Sequence, residues 1–206
     1  MYARSTTVRG NPQAMDDGIA YVRTTVMPAV QEMDGCVGLS MLCDRASGRC
    51  IVTTSWGNAE AMQRSAGGVM AMRQRAAEIM GGEAEVQEWE IAVMHRMHET
   101  HNGACARVIR GRGDPARTDD MVDTFRMSML PRVEELPGFV SMSLMVDRAT
   151  GRNAAAISYD SRQSMAEAEA PGMALRQEFA GRMGTEITDV AAFDIALAHL
   201  RVPETA

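Results

Sequence analysis

The sequence predicts an α+β protein made of two tandem ferredoxin-like repeats, each with the element order β-α-β-β-α-β. Three observations lead to this fold class. A stretch that ends in DRASGR at residue 49 recurs and ends in DRATGR at residue 152. Within each copy, the spacing of apolar residues alternates between the period of a strand and that of a helix. Only about nine residues, 96–104, separate the copies, so we expect the two halves to be neighbours.

The first strand and helix of each repeat follow from local residue preferences. Residues 2–9 predict a strand because they are rich in β-branched side chains. Asn11 followed by Pro12 predicts a helix start, since Asn caps well and Pro is favoured at the first helical position. Apolar residues spaced by three and four over 19–33 predict an amphipathic helix. Pro28 lies within it, which predicts a kink or a break in its hydrogen bonding.

The rest of the first repeat reads as two strands joined by a polar hairpin, a short helix, a longer helix and a fourth strand. We predict these elements at residues 36–43, 50–56, about 58–66, about 69–80 and 86–95. The second repeat follows the same order, with one extra residue near Thr185.

The domain boundaries follow from this alignment. We predict the first repeat at 1–97, a linker at 98–104, the second repeat at 105–202 and a C-terminal tail at 203–206. Two four-stranded antiparallel sheets, each covered by helices on one face, leave two bare apolar faces. Packing these faces together would bury them, which gives a dimeric α/β barrel within one chain. We therefore expect a monomer that is an intrachain pseudo-dimer, or a homodimer of it.

Composition excludes several classes of function. The net charge is −6 and no basic cluster is present, which argues against a nucleic-acid partner. All 21 basic residues are arginine, so Schiff-base lysine chemistry is excluded. No apolar run approaches the ~20 residues of a membrane span, and the N-terminus lacks the apolar region of a signal peptide. We expect a cytoplasmic protein with reduced thiols and no membrane partner.

The repeated stretch and one aromatic residue carry a family resemblance. The repeated stretch is residues 130–152, with its first copy at residues 26–49. In the first repeat, Trp56 then stands directly after the third strand and before Asn58. This pattern resembles the dimeric α/β-barrel superfamily, and within it the antibiotic-biosynthesis-monooxygenase-like and stress-responsive branches. The superfamily includes cofactor-free monooxygenases that act on polycyclic aromatic substrates, haem-degrading enzymes, haem peroxidases, small-molecule isomerases and members with no known activity.

The resemblance implies a small-molecule ligand and leaves two functions open. The first is a cofactor-independent monooxygenase acting on a flat aromatic or polyketide-like molecule. The alternative is a non-catalytic module that binds a small molecule or a protein, in which the duplication serves stability. Haem-degrading members carry a His about ten residues past the Trp, where this sequence has Ala66 and, in the second repeat, Glu169. We therefore expect no cofactor, with haem as the disfavoured alternative.

Four residues are candidates for ligand binding. Arg4 and Arg107 occupy matching points on the two first strands. Each could anchor an anion or a carbonyl group, or could form a salt bridge with a neighbouring element, since a buried charge requires a partner. Trp56 and Tyr159 follow the two third strands and could stack on a flat ligand or simply fill the seam between helices and sheet.

Histidine and cysteine provide weaker candidates. His95 and His199 occupy matching positions on the fourth strands and are the natural choice for a general base near pH 7. The segment HRMHETH at residues 95–101 has no convincing ligand spacing, so we predict no metal site. Cys43 and Cys50 flank the first hairpin and could face each other across it, as small buried side chains rather than as a redox pair.

Overall fold

A computed structural model describes residues 1–98, 100–101 and 103–200. Residues 99 and 102 of the predicted linker lie outside the described residues. The predicted tail at 203–206 and the last two residues of the second repeat also lie outside the described residues. The domain boundaries stay a prediction.

Eight strands and eight α-helices follow one another, and each predicted helical segment of a repeat consists of two α-helices. The strands are β1 (Tyr2–Arg9), β2 (Cys36–Asp44), β3 (Arg49–Trp56), β4 (Glu83–Arg96), β5 (Cys105–Arg112), β6 (Phe139–Asp147), β7 (Arg152–Tyr159) and β8 (Glu186–Leu200). The helices are α1 (Met15–Tyr21), α2 (Met27–Gln31), α3 (Ala59–Arg64), α4 (Ala66–Met80), α5 (Thr118–Thr124), α6 (Leu130–Glu134), α7 (Arg162–Glu167) and α8 (Glu169–Met183). These counts refer to the described part of the chain. The hydrogen-bonded strand order is closed, β1-β3-β2-β8-β5-β7-β6-β4, which confirms the predicted fold class of tandem ferredoxin-like repeats forming a barrel.

The chain divides into two compact units that cut across the fourth strands. The first unit holds Met1–Trp89 with residues 194–200, and the second holds Glu90–Phe193. In the first unit, the C-terminal half of β8 pairs antiparallel with β2. In the second unit, the C-terminal half of β4 pairs antiparallel with β6. Each unit is therefore completed by half of the fourth strand of the other repeat.

The α-helical hydrogen bonding of each first helix is interrupted just before its proline, as the sequence predicts. A five-residue π-helical turn, Val22–Val26, joins α1 to α2 just before Pro28, and the turn Phe125–Met129 does the same before Pro131. The amide of Met27 donates to the carbonyl of Val22, one residue further back than in an α-helix. Pro28 then occupies the first turn of the next helical segment, where no amide donor is required.

The repeated hairpin sequence is explained by one close backbone contact. Gly48 adopts a left-handed conformation, and its carbonyl accepts from the Gly10 amide at 3.0 Å. A Cβ at Gly48 would lie 2.2 Å from the Gly10 carbonyl oxygen, so no other residue fits. Gly151 and Gly113 repeat this contact at 2.9 Å. The predicted Asn11 cap is also confirmed, although it begins a short 3₁₀ turn rather than the α-helix itself.

Candidate ligand-binding cavity

The second unit contains a cavity of about 70 Å³ between its sheet and its helices. Its walls come from the four strands β5, β6, β7 and β8 on one side. On the other side they come from α5, α6, α8 and the π-helical turn Phe125–Met129. Most of the lining is apolar, and the polar groups in it are Asn153, Arg176 and Thr185. The apolar lining includes Ile109, Phe125, Met142, Leu144, Leu175 and Phe179.

Sequence differences between the repeats remove side-chain volume at some points of the lining and add it at others, such as Phe125 for Val22 and Phe179 for Ala76. Three lining positions carry a smaller residue than their counterparts in the first repeat: Gly111 for Val8, Ala155 for Val52 and Gly172 for Val69. Two of the first-repeat valines, at 8 and 69, are buried in the core of the first unit. A Cβ on Gly172 would meet only Leu136, at 3.8 Å, which is ordinary van der Waals contact. The missing side chain at 172 therefore contributes directly to the cavity.

Arg176 connects the cavity to a buried ion-pair network. Its Nη2 lies 3.0 Å from Glu169 Oε1, and Arg107 Nη2 lies 2.5 Å from Glu169 Oε2. The Arg107 side chain is 10% exposed and that of Arg176 is 15% exposed, whereas Glu169 reaches solvent. The hydrogen bond from Arg176 lowers the pKa of Glu169 against the opposing effect of partial burial, and the charge of Arg107 lowers it further. Glu169 is thus an ionised carboxylate shared by two guanidinium groups.

The first unit satisfies the matching arginine in a different way. Arg4 is 3% exposed, and its Nε and Nη2 both donate to Glu88 Oε1, at 2.9 and 2.8 Å. Its Nη1 donates to Ser65 Oγ at 2.9 Å, and Nη2 also donates to the Met62 carbonyl at 2.8 Å. Every guanidinium nitrogen of Arg4 therefore has a partner, as the salt-bridge alternative of the sequence analysis predicts.

The second unit lacks the hydroxyl that completes this pattern. The residue matching Ser65 is Ala168, which is fully buried. Arg107 Nη1 is also buried, and none of the described residues offers it a hydrogen-bond acceptor. A buried donor without a partner costs free energy. The change from serine to alanine at this position therefore leaves Arg107 less well satisfied than Arg4.

The two aromatic candidates lie in the cores of their units. Trp56 is fully buried, and its Nε1 donates to Thr54 Oγ1 at 3.2 Å. Tyr159 is 1% exposed, and burial raises the pKa of its hydroxyl. Neither residue belongs to the lining of the cavity described above. Their role in ligand binding stays a prediction.

The histidine candidates also lie outside that lining. His95 Nε2 is 3.0 Å from Glu134 Oε1, and its ring stacks on Phe139 with the centroids 6.3 Å apart. His199 is on β8, opposite Leu39 of β2 in the ladder. Among the described residues, no group of three or more His, Cys, Asp or Glu side chains is arranged to hold a metal ion.

Cys43 and Cys50 do face each other across the first hairpin. They are directly opposite in the β2–β3 ladder, and their Sγ atoms are 2.8 Å apart. Their mutual hydrogen bond raises the pKa of Cys43, where burial acts in the same direction, and lowers that of Cys50. All four cysteines are free thiols.

One further feature concerns the helices. Within the described residues, none of them combines the length and the apolar character needed to cross a bilayer.

Comparison with solved structures defines the class of protein. The chain aligns with a proposed monooxygenase from Lactobacillus acidophilus NCFM at a TM-score of 0.70 and 11% identity, covering 97% of this chain and 96% of that one. It aligns with an anthrone oxidase-like protein at a TM-score of 0.68 and 11% identity, covering 100% and 95%. Identities this low establish the fold alone. The chain therefore has the fold of the antibiotic-biosynthesis-monooxygenase-like barrel proteins.

Sequence comparison identifies the family within that class. The chain is 47% identical over 205 residues to the uncharacterized protein Rv2558 of Mycobacterium tuberculosis H37Rv, covering 99% of this chain and 87% of that protein. It is 46% identical over 204 residues to the uncharacterized protein Rv2557 of the same strain, covering 99% and 91%. The chain belongs to the family of these mycobacterial proteins. No family model matches it.

Proposed function

We propose that this protein binds a small, largely apolar molecule in the cavity of its second unit. The observation that carries the proposal is the cavity itself, with its apolar walls and a few polar groups at fixed points. The same residues that open it in the second repeat are larger in the first repeat. Val69 and Gly172 are thus one filled and one open position at matching sites.

The volume limits the size of the ligand. An engineered apolar cavity of about 150 Å³ admits benzene, whereas this one measures about 70 Å³. Even a single aromatic ring therefore requires the walls to move, and a flat polycyclic ligand requires a larger movement. Three of the lining residues are methionines, at 121, 129 and 142, and their flexible side chains are suited to such adjustment.

Binding is tested with neutral apolar probes and a matched pair of variants. Isothermal titration calorimetry with toluene, phenol and indole should show binding to the native protein. Gly172→Val introduces the side chain that the first repeat has, and should weaken binding about tenfold or more, since each displaced methylene is worth about 0.8 kcal/mol. Gly181→Val, in the same helix and with no heavy atom within 4 Å of its Cβ, is the control. Equal loss in both variants, or no binding to the native protein, would overturn the proposal.

Oxygenation of the bound molecule is a second candidate function, favoured by the position of Arg176. A guanidinium in the cavity wall can stabilise negative charge on an enolate or phenolate oxygen. In such a reaction the ligand carbanion is oxidised by O₂, a C–O bond forms, and the resulting hydroperoxide loses water to leave a ketone. The cavity lining contains no His, Asp or Glu, so the initial proton passes to water.

Oxygen uptake tests this second function. One structural neighbour is an anthrone oxidase-like protein, so anthrone and the smaller 2-tetralone are the probes. The native protein should consume one O₂ for each ketone formed, and Arg176→Met should lose this activity. Uptake equal to that of a protein-free control would leave ligand binding alone as the function.

We further propose that the site works without haem. Glu169 stands where haem-degrading relatives have a His, and its carboxylate is already held by Arg107 and Arg176. Titration with hemin should therefore produce no saturable shift of the Soret band. A stoichiometric shift would contradict this.

A further inference from the structure

The charges behind the cavity wall of the second unit do not balance. Arg107 and Arg176 share one carboxylate, that of Glu169, so the three side chains carry a net positive charge. Both arginine side chains are largely withdrawn from solvent, being 10% and 15% exposed. Burying an uncompensated charge is unfavourable unless a counter-charge or a hydrogen-bond acceptor is supplied.

A free hydrogen-bond donor accompanies this excess charge. Among the described residues, the buried Arg107 Nη1 has no acceptor, whereas the matching nitrogen of Arg4 in the first unit does. In the first unit the corresponding Arg4 Nη1 donates to Ser65 Oγ, and Nε donates to Glu88. The second repeat has Ala168 in place of that serine and Ala192 in place of that glutamate. Glu169 supplies the carboxylate from a different position, where the first repeat has Ala66, so the acceptor that is lost without replacement is the hydroxyl.

Arg107 is not itself a lining residue, and these observations are connected to the cavity through Glu169. Arg176 lines the cavity, and Arg176 and Arg107 are held on the two oxygens of the same carboxylate. An acceptor oxygen of a ligand beside Arg176 would lie next to the net positive charge of Arg107, Glu169 and Arg176. The donor in this group that has no partner within the described part of the chain is Arg107 Nη1. Charge-assisted hydrogen bonds to guanidinium groups are stronger than neutral ones, and they select anionic oxygens.

We propose that the cavity takes its ligand as an anion: a small apolar group that bears one carboxylate or other acidic oxygen, bound at the Arg176 end, with Arg107 as the supporting donor. This rests on the proposed binding function and names the class of ligand. Glu169 positions the two arginines, and the apolar part of the ligand fills the space that Gly172 and Ala155 leave open.

Pairs of isosteric probes test the charge preference separately from cavity binding. Benzoate and benzamide form one pair, and the smaller isobutyrate and isobutyramide form the other. Calorimetry at low ionic strength should show that each carboxylate binds the native protein about tenfold or more tightly than its amide, as expected for one charge-assisted hydrogen bond. In Arg176→Met each carboxylate should bind no more tightly than its own amide, and the amide serves as the internal reference for any change in the cavity itself.

A more selective variant adds a hydroxyl without removing any charge. Ala168→Ser restores the acceptor that the first repeat has at Ser65, so Arg107 Nη1 gains an internal partner and carboxylate affinity should fall severalfold. Ser65→Ala in the first unit is the matched control and should leave benzoate binding unchanged. Far-UV circular dichroism of each variant checks that it is folded, and Arg176→Gln replaces Arg176→Met if the latter does not fold.

The outcomes separate the two proposals. If toluene binds but each carboxylate binds no better than its amide, the anionic-ligand inference is overturned and the binding function stands. If no probe binds, both are overturned. If the carboxylate preference is present and is unaffected by Arg176→Met, the anion site lies elsewhere and the inference is again overturned.

Discussion

Replacing Gly172 by alanine should stabilise the protein more than the same replacement at Gly181. Both glycines lie in α8, and neither has a positive φ. Alanine in place of glycine within a helix contributes about 1 kcal/mol or somewhat less to the free energy of unfolding. The two positions differ in what the new methyl group contacts. At 172 it enters the cavity and meets Leu136 at 3.8 Å, whereas at 181 nothing lies within 4 Å.

The difference between the two variants measures the cavity. Burying one methyl group is worth about 0.8 kcal/mol, and a contact at 3.8 Å introduces no strain. Gly172→Ala should therefore raise the free energy of unfolding by about 1.3 to 1.8 kcal/mol and Gly181→Ala by about 0.5 to 1 kcal/mol. For a chain of this size, 1 kcal/mol corresponds to about 2–4 °C in Tm.

The assay must report on the second unit. Both tryptophans, Trp56 and Trp89, belong to the first unit, so their fluorescence follows that unit. Urea unfolding should instead be followed by circular dichroism at 222 nm, with fluorescence recorded in parallel to detect separate transitions. If Gly172→Ala is no more stabilising than Gly181→Ala, the space beside 172 is not available to a side chain. That result would refute the reasoning behind the cavity.

Three other predictions concern the core, the thiols and the ion-pair network. Trp56→Ala should lower the free energy of unfolding by about 3–5 kcal/mol, measured by urea unfolding, because the side chain is fully buried; a loss below about 1 kcal/mol would contradict its core position. Under native conditions iodoacetamide should label Cys36 before the other three cysteines, because only Cys36 is part-exposed; burial raises the pKa of its thiol, so labelling should still be accelerating above pH 8, and peptide mass spectrometry would detect the opposite order. The pKa of Glu169 is lowered in the folded state, so its stabilising contribution is present above its unfolded pKa and is lost as the pH falls through the folded value. Thermal melts between pH 2 and pH 7 should therefore show a smaller acid-induced loss of Tm in Glu169→Gln than in the native protein, and identical slopes would argue against the ion pairs.

The fold could be predicted from the sequence because the duplication supplies two independent readings of each element. The hairpin glycines and the prolines of the first helices occur twice at the same spacing. The predicted interruption of hydrogen bonding near Pro28 is confirmed, but its form, a π-helical turn, does not follow from the residue types. The π-helical turn depends on where the Met27 amide finds its acceptor, and residue preferences do not report that.

The candidate cavity could not be predicted in the same way, because it depends on volume rather than on any one residue type. Gly111, Ala155 and Gly172 lie on three different elements, and only the folded chain shows that they border one space. A signal was present in the sequence, since each replaces a valine of the first repeat. The pattern of aromatic and basic residues does not indicate the cavity, because a missing side chain does not form a motif.

The comparison of the two repeats also changes how the arginines are interpreted. Arg4 and Arg107 occupy the same point on matching strands, and the sequence treats them as equivalent candidates. In the structure they differ through their neighbours. Arg4 has its hydroxyl and carboxylate partners, whereas Arg107 shares the carboxylate of Glu169 with Arg176 and, among the described residues, its buried Nη1 has no acceptor. A repeat retained only for stability gains nothing from losing that hydroxyl, because a buried donor without an acceptor costs free energy. The loss is accounted for if the second unit receives its missing acceptor from a ligand, and Ala168→Ser is the change that would supply it from within.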